Sequence, residues 1–282
     1  LDYYLKNNSI DAKTKAKLIS KNYVYGYVEN LPYEKKVHGK VAGIAGEYID
    51  RVSRLADINF EYKKYDSIKD LKEAIDNKEV DVYFDYYNYG NKNYLSTVST
   101  FVEDYVVLGR QKDNHIVNTF ESLKGQDLAM LKDDSLYNYF KNNSRANIKL
   151  YDNLDDLVEN SGSRIIVIDN EIYSYYQTNK FKNLKLLYKD NMMNDYKFMI
   201  KKDNEAFYNL VNYIVNTNSY DNYRNSGIEN LKASILQDST LEQVYTIVLI
   251  VVFTPLIILG LAFAFLKKKK AKKRVRIIDR QK

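Results

Sequence analysis

The chain has no cysteine, and its 282 residues include only two prolines, two histidines and ten glycines. Without cysteine there are no disulfides and no thiolate chemistry. Two histidines are too few for a His-rich metal site. So little proline and glycine argues against a disordered stalk. A chain of this length can bury one or two substantial cores. Tyr, Asn, Lys and Ile are instead abundant throughout. That bias is compositional, so no single Tyr or Asn counts by itself as evidence of a binding surface.

Charge is missing from one stretch altogether. The 23 residues Val244–Leu266, "VYTIVLIVVFTPLIILGLAFAFL", contain none, and 16 of them are Val, Ile, Leu or Phe. A helix of that length reaches about 35 Å, enough to cross a ~30 Å hydrocarbon core with some tilt. At about −0.3 to −0.6 kcal/mol for each apolar residue, insertion is favourable before Thr254 and Pro255 are counted against it. A buried core helix rarely runs so long without a polar face, so a transmembrane helix is expected over 244–266.

Its flank sets a direction. Residues 267–282 carry ten Lys/Arg and one acid, a net of +9 in a chain of +6, which leaves 6 − 9 = −3 for residues 1–243. Positive flanks stay in the cytoplasm. The expected localisation is therefore a single-pass cell-membrane protein, with 1–243 extracytoplasmic and 267–282 a basic cytoplasmic juxtamembrane segment. "KKKKAKKR" follows the span directly and suits an anionic leaflet, so nucleic acid is not an expected partner. The opening "LDYYLKNN" has neither Met nor signal peptide, and the end "VRIIDRQK" has no finishing pattern. Both ends of a longer protein are expected to lie outside this sequence.

Ahead of the span, strand and helix patterns alternate. Residues 1–21 read as a linker or amphipathic helix. "NYVYGYV" (22–28) and "NFEYKKY" read as strands, and "ENLPYEKKVHG" as a loop. "GIAGEYIDRVSRLA" (43–56) places Ile44, Tyr48, Val52 and Leu55 at helical spacing. Ser67 is a plausible N-cap for a helix bearing Ile68, Leu71 and Ile75. "VDVYFDYY" (80–87) is a short strand entering a polar loop. The order then repeats: strand "DLAML", helix "DSLYNYFKNN" capped near Asp134 or Ser135, strand "NIKLY", helix "DNLDDLVEN", buried-type strand "RIIVID" (164–169), helix "EIYSYYQTN". "LKLLY" and "YKFMIKK" read as separate strands before a helix over 204–217. Two successive runs of this kind predict two α/β lobes with mostly parallel sheets.

Several consecutive segments resemble the bacterial solute-binding proteins of family 3, which have the type II periplasmic-binding-protein fold. "YGYVENLPYE" is similar to the family's first strand and Pro-aromatic loop. "GKVAGIAGEYIDRVSRLADINFEYKKYDSIKDLKEAIDNKEVDVYF" is similar to the helix, strand, helix and strand that follow. "LGRQKDNHIVNTFESLKGQDLAMLKDDSLYNYF" resembles the arm into the second lobe and its strand-loop-helix. "RIIVIDNEIYSYY" resembles the second-lobe strand ending in Asp, and "YKFMIKKDNEAFYNLVN" the strand crossing back. The resemblance runs over about 22–231. It implies a solute-binding domain over 22–235, with lobe 1 from about 22–106 and 197–232 and lobe 2 from about 107–196. The ligand would sit between lobes that close on it, at the C-terminal ends of strands.

The same resemblance singles out the candidate site. Glu29 and Tyr33 lie in the loop where the family places an aromatic against the ligand. Asp85, Tyr86 and Tyr87 follow a strand into the cleft, and Ser99 and Thr100 lie at the end of the lobe 1 excursion. Asp133, Asp134 and Ser135 open the lobe 2 helix. Free N–H groups there suit a carboxylate ligand, but an N-cap is the simpler reading for one of these side chains. Asp169 ends "RIIVID" where amino-acid binders of the family place the Asp that pairs with an α-ammonium; capping the next helix is its alternative role. The segment "YYNYGNKNYLSTVSTF" lacks the Arg with which such binders hold the α-carboxylate, offering only Lys92, and Lys is not an equivalent fork. An ordinary amino acid thus gives way to a cationic, amide-bearing or peptide-like ligand. No cofactor, metal site or catalytic residue is identified.

The whole arrangement resembles the membrane sensors that carry a diguanylate cyclase domain after the span. It implies an extracytoplasmic sensor whose lobe closure signals through one helix, with a small molecule and the lipid bilayer as partners. A homodimer through the membrane and juxtamembrane region is compatible with it. The alternative is a membrane-anchored substrate-binding component of an ABC-type uptake system. An extracytoplasmic enzyme is the weakest reading, because no acid–base pair, nucleophile or metal cluster stands out.

Overall fold

Ile165–Asp169 form a strand, β10, without one exposed residue. A strand buried on both faces needs cover on both sides. Ile166 and Ile168 pack into one apolar cluster, and Ile165 and Val167 into another, as the two-residue repeat of a strand requires. The structure, a computed structural model, describes Tyr4, Lys6 and residues 11–132, 135–217 and 219–278. Side chains are described through Thr254, apart from those of Met193, Glu242 and Val252. The chain divides into two compact units, Leu1–Leu231 and Lys232–Lys282.

The first unit begins with α1 (Ala12–Ile19), whose first turn is capped by the Asp11 carboxylate on the Thr14 N–H at 2.7 Å. There follow β1 (Tyr23–Tyr27), the hairpin β2 (Lys35–Val37) and β3 (Lys40–Ala42), α2 (Ile44–Ala56), β4 (Phe60–Lys64), α3 (Ile68–Asp76), β5 (Val82–Asp85) and β6 (Tyr94–Ser96). Strand β7 (Phe101–Arg110) leads to β8 (Asp127–Leu131), α4 (Ser135–Asn143), β9 (Asn147–Tyr151), α5 (Leu154–Asn160), β10 and α6 (Asn170–Tyr176). Strand β11 (Leu184–Lys201) returns to α7 (Glu205–Asn216), and α8 runs over Tyr220–Ile278.

Local rules explain most of these elements. In α2 the buried stripe is Ile44, Ala45, Tyr48, Ile49, Val52 and Ala56. Leu55, expected on that stripe, is 40% exposed because Ala56 takes the inward position one residue on. Ser67 caps α3, accepting the Asp70 N–H at 3.1 Å. Phe207, Leu210, Val211 and Ile214 are buried along α7. The segment read as a loop after β1 contains β2 and the tip of the β2–β3 hairpin instead. His38 (φ 50°) and Gly39 (φ 80°) form its tip, and paired positive φ angles match the twist of a tight hairpin.

The strands hydrogen-bond in the order β4-β1-β5-β11-β7-β10-β8-β9, with β6 also on β11. Pairing is parallel for β1 with β4 and β5, and for β8 with β9 and β10. It is antiparallel wherever β7 or β11 takes part. Parallel sheets therefore hold within each lobe, but the chain leaves lobe 1 along β7 and comes back along β11, so the two crossing strands must oppose each other. The stretches read as two strands are one, β11, whose register against β7 shifts between Asn191 and Asp195.

In the second unit, α8 is helical through Ile278. Among the described residues no helix is long and apolar enough to cross a membrane. The expected span 244–266 and the basic segment after it extend past Thr254, and their side chains from 255 onward lie outside the described residues.

Candidate functional site: a cleft lined by tyrosine and acid

Asp169 stands where β10 ends and α6 begins, and each of its oxygens has its own task. Oδ1 accepts the backbone N–H groups of Glu171 at 2.7 Å and Ile172 at 2.9 Å, capping α6. Oδ2 accepts the hydroxyls of Tyr33 at 2.8 Å and Tyr196 at 3.0 Å. The residue is only 3% exposed. A buried carboxylate is costly unless fully hydrogen-bonded, and these four donors meet that demand. Burial first, then the Asp169 charge, pushes the Tyr33 phenol well above its ordinary pKa, which keeps it a proton donor.

Tyr33 comes from the loop after β1 in lobe 1 and Tyr196 from the crossing strand β11. The Tyr33 ring stacks on Tyr86 with centroids 5.5 Å apart and meets the Tyr196 edge at 5.5 Å. Phe101 of β7 closes the group edge-on to Tyr196 at 4.9 Å. Aromatic faces are negative and favour cations.

The Tyr33, Tyr86 and Tyr196 rings border a cavity of about 220 Å³ between the lobes. Lobe 1 contributes Val28, Glu29, Tyr33, Ile68, Tyr86 and Tyr87; lobe 2 contributes Leu131, Lys132, Ser135, Asp152, Asp169 and Ile172. A second cavity of about 380 Å³ lies beside it and shares Glu29, Asn30, Leu131, Lys132, Asp152 and Ile172. Besides its tyrosines, the inner cavity is lined by three carboxyl side chains, Glu29, Asp152 and Asp169, and one amine, Lys132. Lys132 lies 3.6 Å from Asp152, and Glu29 pairs with Lys64 at 3.3 Å.

Behind the aromatic wall lies a second acid. Glu34 is 1% exposed, next to the Tyr25 hydroxyl, and burial pushes its pKa up to about 8 against the lowering effect of Tyr25 and Tyr86. The Tyr86 and Tyr87 hydroxyls bond each other, and Tyr86 also donates to the Val28 carbonyl at 3.2 Å. The Glu34 network thus reaches the cavity lining through Tyr86.

Six of the residues singled out in the sequence meet around this cavity: Glu29, Tyr33, Tyr86, Tyr87, Ser135 and Asp169. Asp85 does not line it; the buried carboxylate accepts the Tyr89 and Gly90 N–H groups at 2.9 and 3.0 Å and so holds its own loop. Thr100 bonds the Tyr196 carbonyl through its hydroxyl at 2.7 Å, and Ser99 is exposed. Asp133 and Asp134 lie outside the described residues. Lys92 is exposed and away from the cavity lining. Among the described residues no group of three or more His, Asp or Glu could hold a metal ion.

Sequence reasoning missed Tyr196, Lys132 and Asp152, and also Glu103. The last is wholly buried in β7, where it accepts the Ser135 hydroxyl at 2.7 Å and the Asn194 amide at 3.0 Å. An acid inside "FVEDYVVLG" was the available signal for Glu103. Nothing in the sequence distinguished Tyr196 from the other 27 tyrosines.

The chain matches no protein-family model and no curated protein. Solved structures do share its fold. The ligand-binding core of GluR0 in complex with L-glutamate superposes with a TM-score of 0.60 at 18% identity, covering 74% of this chain and 97% of that one. The VFT2 domain of Bordetella pertussis BvgS, as a double mutant, gives 0.65 at 14% identity, covering 78% and 97%. An arginine-transport periplasmic binding protein from Legionella pneumophila gives 0.58 at 16%, covering 73% and 99%. These are binding modules rather than enzymes. The chain has the two-lobed α/β fold of the type II periplasmic binding proteins.

Proposed function

We propose that residues 22–231 are the extracytoplasmic ligand-binding module of a bacterial membrane sensor. Asp169 carries this reading: it is a buried carboxylate on lobe 2, reached by a tyrosine from lobe 1, on the wall of a cavity between the lobes. A ligand that favours the closed lobes shifts the protein toward them by its difference in affinity for the two states. The ligand is a small cationic or amide-bearing molecule of amino-acid type. Three acids against one lysine, an aromatic wall and the lack of a cavity arginine support that class. Glutamate and arginine, named for two of the similar structures, belong in the first screen.

The sensor role rests on α8, which starts within the binding unit and contains the uncharged run 244–266. Signal passes along it into the cytoplasm, to a diguanylate cyclase domain beyond Lys282 and across a homodimer. Because the chain has no cysteine, single Ser163→Cys and Ala271→Cys variants report topology with a membrane-impermeant maleimide. Residue 163 is expected to label on intact cells and residue 271 only after permeabilisation; labelling of 271 from outside would end this reading. Amino acids, polyamines and short peptides are then screened by thermal shift, where a ligand at a hundredfold excess over Kd adds about 2.7 kcal/mol. The structural likeness to transport binding proteins favours a second reading, the anchored binding component of an uptake system. A parent reading frame that stops soon after Lys282 would select it.

A further inference from the structure

The first turns of α8 touch both sides of the cleft. Tyr223 stacks on Tyr48 of α2 at 3.9 Å, and Asn230 donates to Glu47 of α2 at 2.8 Å. Gly227 lies so close to Gly43 that an added Cβ would come within 2.6 Å of the Gly43 carbonyl oxygen. All three contacts belong to lobe 1. Tyr220 stacks at 4.0 Å on Phe101, at the root of crossing strand β7. The Tyr220 phenol lies near enough to Glu171 of lobe 2 for that charge, after burial, to raise its pKa, and the ion pair to lobe 2 is made by Arg224. Its Nε donates to Glu171 Oε2 at 2.5 Å, and the Glu171 side chain is only 8% exposed.

Glu171 belongs to the first turn of α6, and its own N–H is one of those that Asp169 holds. The short helix carrying the cleft carboxylate is therefore also the helix that α8 grips. Residues 220, 223–224, 227 and 230 recur at the spacing of one helical face, so a single face of α8 spans hinge, lobe 1 and lobe 2. If lobe 2 swings away from lobe 1, α6 moves with it. Three of these contacts tie α8 to lobe 1, and the ion pair, with the Tyr220 phenol beside it, holds α8 to lobe 2. Opening must then break the pair or pull α8 from its lobe 1 seat. A half-buried, charge-assisted pair with short geometry is costly to break by removing one partner.

We propose that the Arg224–Glu171 ion pair is the clasp between lobe 2 and the start of α8, made when the cleft is closed and broken when it opens. Arg224 is a positioning residue and touches no ligand. The proposal builds on the sensor reading, but its test uses no ligand, so failure of one is distinguishable from failure of the other.

The experiment places spin-label pairs on the full chain in lipid nanodiscs, using introduced cysteines at exposed positions. Lys141→Cys with Glu229→Cys measures lobe 2 to α8, and Lys69→Cys with Glu229→Cys measures lobe 1 to α8. Arg224→Ala is expected to cut the short-distance population of the 141–229 pair severalfold and to leave the 69–229 pair unchanged. The charge swap Arg224→Glu with Glu171→Arg is expected to restore the 141–229 distribution. An unchanged 141–229 distribution in Arg224→Ala would overturn the proposal. So would broadening of both pairs, because Arg224 would then only seat the helix, and so would a swap that fails to rescue.

Discussion

Tyr33 and Asp169 stand 136 residues apart in the chain, yet the Tyr33 hydroxyl donates to Asp169 Oδ2 at 2.8 Å across the cleft. One lobe thus reaches into the carboxylate that ends the central strand of the other. The bond occupies one lone pair of the oxygen that Tyr196 also serves. It makes the cleft partly self-complementary before any ligand arrives.

Removing that donor is expected to loosen the closed form. Tyr33→Phe keeps the ring stack on Tyr86 and deletes only a hydrogen bond to a charged acceptor, about 1.5–3 kcal/mol. The midpoint of urea unfolding is expected to fall by the corresponding amount, and small-angle scattering to show a more open unit. An unchanged midpoint would mean that the contact contributes nothing to closure.

Asp169 separates into two roles by substitution. Asp169→Ala removes the α6 cap, about 1 kcal/mol, and the acceptor of both tyrosine hydroxyls, so a loss of at least about 3 kcal/mol is expected. Asp169→Asn keeps a carbonyl for the cap and removes the charge. Its stability should fall less, while the thermal shift produced by a cationic ligand should disappear. A cationic ligand with an undiminished shift on Asp169→Asn would remove this residue from the site.

Glu34 sets a pH dependence with a definite sign. Burial raises the carboxyl to about 8 in the folded protein, against about 4.3 for an exposed glutamate. Between those values the folded state holds more protons than the unfolded state, so this contribution is complete below about pH 4.3 and is lost as pH rises through about 8. Thermal midpoints of the native protein should therefore decline from pH 5 to pH 8.5 more steeply than those of Glu34→Gln. Parallel curves for the two would show that Glu34 is ionised in both states.

Gly227 reverses an ordinary rule. Replacing a mid-helix glycine by alanine normally stabilises by about 1 kcal/mol. Here the new methyl would meet the Gly43 carbonyl oxygen at 2.6 Å, and Gly43 itself, at φ 111°, has the Pro32 and Tyr33 carbonyls against it. Gly227→Ala should lower the melting temperature and broaden the distance from lobe 1 to α8. A gain in melting temperature would mean that the helix is not seated on Gly43.

What the sequence determined by itself was short-range. The unbroken apolar run in "RIIVID" predicts a strand buried on both faces, and β10 is one. The Ser67 cap and the apolar spacing of 204–217 are readable because a cap or a helical stripe depends on residues three or four apart. The order of these elements, with the family resemblance, led to the two-lobed fold. Asp169 was legible as either a cap or a cleft residue, and it is at once a cap through Oδ1 and a cleft hydrogen-bond acceptor through Oδ2.

Tertiary structure decided what depends on residues far apart. Which tyrosine reaches Asp169 is set by where the crossing strand returns, and a sequence with 28 tyrosines carries no local mark of that. Asp85 shares its residue type and strand-end position with Asp169 but turns to its own loop, where its two oxygens accept the Tyr89 and Gly90 N–H groups. The pairing of Arg224 with Glu171 joins the start of the last helix to a helix 53 residues earlier. Such contacts exist only once the chain has crossed between lobes twice, so no periodicity or spacing could announce them.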